Sequence, residues 1–185
     1  MSARKLFAKQ GFEGTSVRQI CEDAGANVAL VSYHFGGKEK VFEAIFEHFF
    51  PGNMIPQYEQ QLRDPVEGIR LIISSVINFS CVDDKELGFI VQQEMTMNSP
   101  RKPIVVKYLY PVWGKVKELL QRGKEQGVFH FGSLSYTLLM VMGAALAHKR
   151  EYKFDNLIDE AEMDPLQISE QSITFILNGL GVKEG

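Results

Sequence analysis

The histidines and cysteines of this chain do not form a catalytic or metal-binding pattern. None of the histidines stands in an H-E-x-x-H or H-x-x-x-H arrangement, and the two cysteines lie far apart without a C-x-x-C pattern. The sequence also contains no Gly-rich phosphate-binding loop and no G-x-S-x-G motif. His148 and Glu151 lie one helical turn apart, but a surface pair at this spacing is more common than half of a metal site. We therefore predict no catalytic residues, no metal site and no cofactor.

A different chemistry is indicated near the N-terminus, where the sequence predicts an outward surface of apolar and hydroxyl-bearing side chains. Its members are Val28, Ala29, Leu30, Ser32, Tyr33 and His34. Such side chains can contact thymine methyl groups and phosphate oxygens of DNA. Arg18, on the preceding segment, carries the nearby planar fork that can bind guanine. Lys38 follows two glycines, at a point where an ammonium group can meet a phosphate but cannot distinguish bases.

Capping residues and glycines place these side chains on two short helices. Thr15 or Ser16 can cap the first helix, Gly25 ends it, and Asn27 can cap the second, over residues 28–35. Two short helices joined by a tight turn, with a third helix behind them, form a helix-turn-helix unit, whose second helix enters the major groove. The residues expected to face the core are Val17, Ile20, Cys21, Ala24, Val31 and Phe35.

Longer helices are predicted in the rest of the chain. Asp64 and Asp164 each precede a proline, and this pair of residues marks a helix start. With apolar spacing and glycine stops, the predicted helices cover residues 38–50, 65–81, 85–97, 103–126, 133–152 and 165–180. Residues 128–131 resemble a strand, but four residues between glycines favour a loop. The predicted fold class is all-α, with a three-helix helix-turn-helix head over residues 1–46 and a larger helical bundle over residues 47–185.

Charge and composition are compatible with such a head. The 185-residue chain has a net charge of −3, yet residues 1–50 hold six basic and six acidic side chains, so the acidity lies in the larger C-terminal part. An electroneutral head can bind phosphates if its basic groups share one face. The longest apolar run, residues 138–147, is too short to span a bilayer, and no signal-peptide pattern opens the sequence. We expect a cytoplasmic protein with reduced thiols and no membrane partner.

The N-terminal motifs resemble those of a known family. The segments that carry the resemblance are ARKLF at 3–7, GFEGTSV at 11–17, AG at 24–25 and YHFGGKE at 33–39. In this order and spacing they resemble the N-terminal signature of TetR-family transcriptional regulators, over about the first 45 residues. The resemblance implies a homodimeric, ligand-responsive repressor that binds a double-stranded DNA operator through its head. A small-molecule effector would bind in its C-terminal body, which also forms the dimer.

The family's usual DNA contacts can be carried over by position. They fall on Thr15, Ser16, Arg18, Val28, Ala29, Leu30, Ser32, Tyr33, His34 and Lys38. Ser32 stands where the family usually has an aromatic residue, and Val28 and Leu30 stand where polar residues are frequent. The sequence begins two residues before Ala3, so the basic arm that often precedes this position is missing from it, either because the protein lacks the arm or because the sequence starts late.

Two further surfaces are predicted on the body. The resemblance implies a ligand pocket for a small apolar or aromatic molecule between the apolar helices, and its candidate lining is Phe79, Phe89, Gln93, Met97, Tyr108, Trp113 and Met140. Plain core packing is at least an equal alternative for each of these residues. A dimer surface is predicted from small and apolar residues on the last two helices, Gly143, Ala144, Ala145, Ala147, Leu166, Ile173, Leu177 and Leu180. The alternative for these residues is a tightly packed helix pair within one chain. The alternative function is a helical adaptor that binds another protein and does not bind DNA.

Overall fold

The computed structural model describes residues 1–149 and 164–182. The chain forms two compact units. The first comprises Met1–Asn53 and Asp84–Tyr108, and the second comprises the described residues of Met54–Asp83 and Leu109–Gly185. The predicted functional boundary after residue 46 stays a prediction, because the compact units divide the chain at different positions.

The predicted all-α fold class is confirmed. Within the described ranges the α-helices are α1 (Ser2–Gln10), α2 (Val17–Ala24), α3 (Val28–Phe35), α4 (Lys38–Phe49), α5 (Pro65–Asn78), α6 (Lys85–Thr96), α7 (Lys102–Glu125), α8 (Leu134–Ala145) and α9 (Pro165–Gly179). Short 3-10 turns follow α4 and α8, and a π-helical turn, Phe79–Asp83, extends α5. Residues 128–131 form a loop, as expected. The part of the predicted 133–152 helix beyond residue 149 lies outside the described residues.

Helix starts follow the side-chain caps that the sequence contains. The Asp64 carboxylate accepts hydrogen bonds from the Val66 and Glu67 amides at the start of α5, and Asp164 does the same for the first amides of α9. Such caps satisfy backbone donors that have no partner inside the helix. Local chemistry therefore sets these boundaries.

An aromatic cluster forms the core of the first unit. Phe7, Phe42 and Phe46 are almost completely buried, and Phe12 joins them with ring centroids 5.3 Å from Phe7 and 5.5 Å from Phe42. The Tyr108 ring stacks on Phe46 at 5.6 Å. Because these rings come from α1, the α1–α2 loop, α4 and α7, their packing fixes the helices that support α2 and α3.

The core of the second unit consists of branched aliphatic side chains around α5. Ile69, Ile73 and Ile77 are fully buried and belong to one cluster with Leu119 and Leu177. By length and hydropathy the stretch Pro65–Asp83 is the candidate membrane span among the described residues. Its isoleucine face is the interior of this unit, which accounts for its apolar composition.

Candidate nucleic-acid interface

The helix-turn-helix is formed by α2 and α3. Ser16 and Gln19 form a reciprocal capping box at the start of α2, in which each side chain accepts a hydrogen bond from the other residue's backbone amide. Gly25 ends α2 in the left-handed region, with φ of 64°. The Asn27 side chain accepts from the Ala29 amide at 2.8 Å and caps α3. These interactions orient α3 relative to α2.

The α3 surface is more exposed than predicted. Within the described head, none of the eight α3 residues is buried, and Tyr33 is 84% exposed. Val31 is half-buried, but Phe35 is 39% exposed and Ala24 on α2 is exposed, so the prediction that both face the core was wrong. Ile20 and Cys21 alone anchor this side of α2 as fully buried residues. The short α3 therefore lies on the outside of the head and leaves its apolar side chains in solvent.

The side chains of two predicted contact residues, Thr15 and Ser16, form hydrogen bonds within the head. Thr15 is only 2% exposed, and its hydroxyl donates a hydrogen bond to the Gly11 carbonyl at 2.8 Å. Its side chain is therefore not presented to a ligand. Ser16 is exposed, but its hydroxyl oxygen caps α2.

Arg18 is ion-paired in the free protein. Its Nε donates to the Glu22 carboxylate at 2.8 Å, one helical turn along α2, and the Arg18 side chain remains 81% exposed. The hydrogen bond and the charge of Glu22 raise the pKa of the guanidinium. A DNA contact by Arg18 would compete with this pair.

Lys38 anchors the start of α4. Its Nζ donates to the Phe12 carbonyl at 2.8 Å and lies 4.2 Å from the centre of the Phe12 ring. The ammonium thus links α4 to the α1–α2 loop, and it retains two further donors with which it could meet a phosphate.

Arg101, which the sequence did not single out, fixes the α1–α2 loop from the other side. Its guanidinium lies 3.9 Å from the centre of the Phe12 ring and donates to Glu13 at 2.9 Å and to Glu94 at 3.3 Å. Arg101 is 11% and Glu94 4% exposed. A cation at the start of a helix opposes the helix dipole, so its position before α7 was a signal that a carboxylate is near. The sequence could not indicate which carboxylate.

Further ion pairs join the helices of the first unit. Arg4 on α1 donates to Asp84 and, at 2.9 Å, to Glu86. Glu43 on α4 lies between Lys40 and Lys107, and these ammonium groups hold its pKa below the usual range. The head is therefore packed on α6 and on the first turns of α7.

The predicted ligand-pocket residues are divided between the two units. Phe89, Gln93, Met97 and Tyr108 belong to the first unit, and Phe79, Trp113 and Met140 belong to the second. Met97 and Met140 are more than 60% exposed, and Phe89 is 47% exposed, whereas Trp113 packs against the core of its unit. The side chains of Met97 and Met140 therefore face solvent.

Two open clefts lie on the second unit. One, of about 390 Å³, is lined by Ile55, Pro56, Glu59, Leu62, Arg63, Lys115 and Arg122. The other, of about 440 Å³, is lined by Asn78, Val82, Asp83, Asp164, Pro165 and Leu166. Neither of these two clefts includes any of the predicted pocket residues.

The second unit buries part of the predicted dimer surface in its own core. Ile173, Leu177 and Leu180 are buried in the core of their own unit, as is Ala145, so they are not on a surface. Leu166 is exposed, and Ala147 is exposed as well. On α8 an outward stripe contains Tyr136 (72% exposed), Leu139 (62%), Met140 (65%) and Gly143. On α9 the large exposed apolar residues are Leu166, at 69%, and Phe175, at 72%.

His148 lies beside the π-helical turn after α5. Its Nε2 is 2.9 Å from the Ser80 hydroxyl, and burial together with the charge of Lys149 lowers the pKa of the imidazole. Its predicted neighbour Glu151 lies outside the described residues. Among the residues that are described, no three His, Cys, Asp or Glu side chains are grouped as a metal site requires.

Comparison with known proteins identifies the head. The family described as bacterial regulatory proteins, tetR family, matches residues 2–45. The HTH-type transcriptional repressor NicS of Pseudomonas putida is 33% identical over 82 residues, which are 42% of this chain and 38% of NicS. The HTH-type transcriptional regulator LmrA of Bacillus subtilis is 31% identical over 124 residues, 63% of this chain and 65% of LmrA. The chain thus spans less than two thirds of either relative.

The similarity extends beyond the head in three dimensions. The crystal structure of HlyIIR, a hemolysin II transcriptional regulator, superimposes with a TM-score of 0.76 at 28% identity and covers 98% of this chain and 94% of that protein. The matching motif order, the named relatives and this agreement over nearly the whole chain lead to one conclusion: the head, residues 2–45, is that of the TetR family of bacterial regulatory proteins.

Proposed function

We propose that this protein is a dimeric transcriptional repressor that binds operator DNA through α2 and α3 and is released by a small apolar or aromatic molecule. The observation that carries the proposal is that α3 contains no buried residue and is held on a capped helix-turn-helix whose sequence matches the family. A short helix with no buried residue contributes little to the core of the head, so exposed apolar side chains on it favour a binding role.

The proposed contacts divide into two kinds. The side chains of Val28, Ala29, Leu30, Tyr33 and His34 would face base edges or the adjacent backbone, and Ser16, Ser32, Arg18 and Lys38 would bind phosphates or, for Arg18, a guanine. Thr15 would contribute through its backbone and its support of the loop, since its side chain is buried.

We propose that the outward stripe of α8 and the Phe175 face of α9 form the homodimer interface. Exposed tyrosine, leucine, methionine and phenylalanine side chains around a glycine make an apolar surface that a second copy can cover. In such a dimer the two α3 helices would occupy successive major-groove turns about 34–36 Å apart.

The effector would act by stabilising a conformation of the body in which this spacing is lost, for example through a changed orientation of α4. A difference in binding free energy of about 1–3 kcal/mol between the two states changes operator occupancy by 5- to 150-fold. Trp113 is the single tryptophan of the chain, so its fluorescence can report binding of molecules that mass spectrometry finds in the purified protein.

The proposed function is tested by fluorescence anisotropy with DNA duplexes over a series of salt concentrations. For a DNA-binding protein, the logarithm of the affinity must fall linearly with the logarithm of the salt concentration. Tyr33→Ala should weaken binding without changing the melting temperature, because Tyr33 is exposed. Tyr110→Ala, which removes a tyrosine of the second unit with 74% exposure, is the matched control and should bind as wild type.

The alternative adaptor function predicts a different result. Apolar docking to a protein would be nearly indifferent to salt, and no duplex would bind at nanomolar to micromolar concentration. The relatives named above are transcriptional regulators, and we expect the same activity here. We also expect a cytoplasmic protein without catalytic activity.

A further inference from the structure

The composition of α3 restricts what the exposed helix can recognise. Its eight residues include no arginine, lysine, asparagine or glutamine. Leu30 is 58% and Val28 42% exposed, and Ala29 between them is exposed too. The polar side chains on this helix are a serine, a tyrosine and a histidine, and none of them can form the two-point hydrogen bonds with which amides and guanidinium groups identify adenine or guanine.

The amide side chains close to α3 are used by the fold. The Asn27 oxygen caps α3 through the Ala29 amide at 2.8 Å. The Gln19 oxygen accepts from the Ser16 amide at 2.9 Å in the capping box, and the Gln10 nitrogen donates to the Gly14 carbonyl at 2.7 Å. An adenine contact from Asn27 or Gln19 would uncap the helix that the contact requires. Arg18 keeps a usable fork, but Glu22 holds it.

The base feature that apolar side chains can recognise in the major groove is the C5-methyl group of thymine. Resting on the proposed DNA-binding function, we propose that α3 selects operator half-sites by contact of Leu30, Ala29 and Val28 with thymine methyl groups. Arg18 supplies at most one guanine contact for each half-site. The operator class is therefore a duplex in which thymines face α3, on either strand of each half-site.

The experiment first selects operators from a random duplex library with the full-length protein. Each thymine of the selected half-sites is then replaced by deoxyuridine, which lacks the methyl group and keeps every hydrogen-bonding group. Burial of one methyl group is worth about 0.8 kcal/mol. Replacing a thymine that contacts α3 should therefore lower the affinity of the protein for the duplex about 4-fold. Replacements outside the half-sites should change the affinity by less than 1.5-fold.

Variants connect the effect to α3. Leu30→Ala should weaken binding to the thymine operator and abolish the preference for thymine over deoxyuridine at the position that Leu30 contacts, and a double-mutant cycle measures this coupling. Arg18→Ala, the control, should keep the thymine preference. Both side chains are exposed, so equal melting temperatures verify that the fold is intact.

The outcomes separate this proposal from the proposed function. If no sequence is enriched and no duplex binds, DNA binding itself is refuted. If operators are enriched but deoxyuridine changes the affinity by less than 1.5-fold at every half-site position, or if thymines are absent from the half-sites, the function stands and recognition through methyl groups is refuted.

Discussion

A side chain added at Gly143 would contact a second copy of the chain in the proposed dimer, but it would not contact the described core of its own chain. Within the described residues, no heavy atom lies within 4 Å of a Cβ built on Gly143, beyond the local helix backbone. The residue lies on α8 in line with Leu139 and Met140, the stripe proposed to cover its counterpart in the dimer. Gly143→Leu therefore separates the two environments.

The expected magnitudes have opposite signs. In the monomer, replacing a helical glycine by leucine stabilises the helix by up to about 1 kcal/mol, and among the residues that the structure describes no neighbouring side chain is close enough to the new Cβ to offset this gain. In a two-fold dimer the substitution occurs twice, and overpacking costs about 1–3 kcal/mol at each copy. The dimer should be weakened by about 2–6 kcal/mol, which raises the dissociation constant by roughly 30- to 20,000-fold.

Sedimentation over a concentration series measures the dissociation constant of the dimer. Denaturant unfolding at low protein concentration measures the free energy of unfolding of the monomer. Gly114→Leu is the matched control, because the one contact of its Cβ with the described part of the chain, beyond the local helix backbone, would be Tyr110 at 4.0 Å on the same helix. Gly123→Ala places a Cβ in steric overlap with the Phe129 ring and should destabilise the monomer itself. A Gly143→Leu protein that dimerises as wild type would show that α8 does not form the interface.

Three other perturbations follow from individual contacts. Glu22→Gln should strengthen DNA binding several-fold, because it frees Arg18 and removes a negative charge near the phosphates; unchanged affinity in the anisotropy assay would contradict this role. Arg101→Met should lower the free energy of unfolding by about 3 kcal/mol by leaving Glu94 buried without its cation, and the double variant with Glu94→Gln should recover part of the loss in denaturant titrations. Because burial lowers the pKa of His148, the unfolded chain binds a proton more readily than the folded one, so stability should fall as the pH decreases below about 6.5. His148→Asn should flatten the dependence between pH 7 and 5, and an identical slope in thermal melts would exclude the histidine as its source.

The boundaries of the helices were predictable because they depend on neighbouring residues. The Ser16, Asn27, Asp64 and Asp164 caps each act within three residues of themselves, so the sequence contains both partners of every such hydrogen bond. The left-handed glycine that ends α2 is equally local. The order of the N-terminal motifs likewise sufficed to indicate the family, since it needed no knowledge of packing.

The DNA contacts stay a prediction, but the structure shows which of the predicted side chains already have partners within the protein. The Thr15 side chain is predicted to face DNA, but its hydroxyl donates a hydrogen bond to the Gly11 carbonyl. Lys38 likewise donates one hydrogen bond to the Phe12 carbonyl. The Arg101 contact with Glu13 spans 88 positions in sequence, and no periodic pattern identifies partners at such a distance. These assignments required the positions of the helices relative to one another within the first unit.

The sequence by itself determined that α9 has an apolar stripe, but only the tertiary structure decided what that stripe contacts. Ile173 and Leu177 were predicted to meet a second copy and instead fill the core beside α5, while Phe175 and the α8 stripe remain exposed. The physical reason is that helical spacing places side chains on a common face, and burial of that face lowers the free energy equally well against either neighbour. Which neighbour is present depends on how distant helices pack, because apolar attraction is non-directional and its partner is not encoded in the spacing.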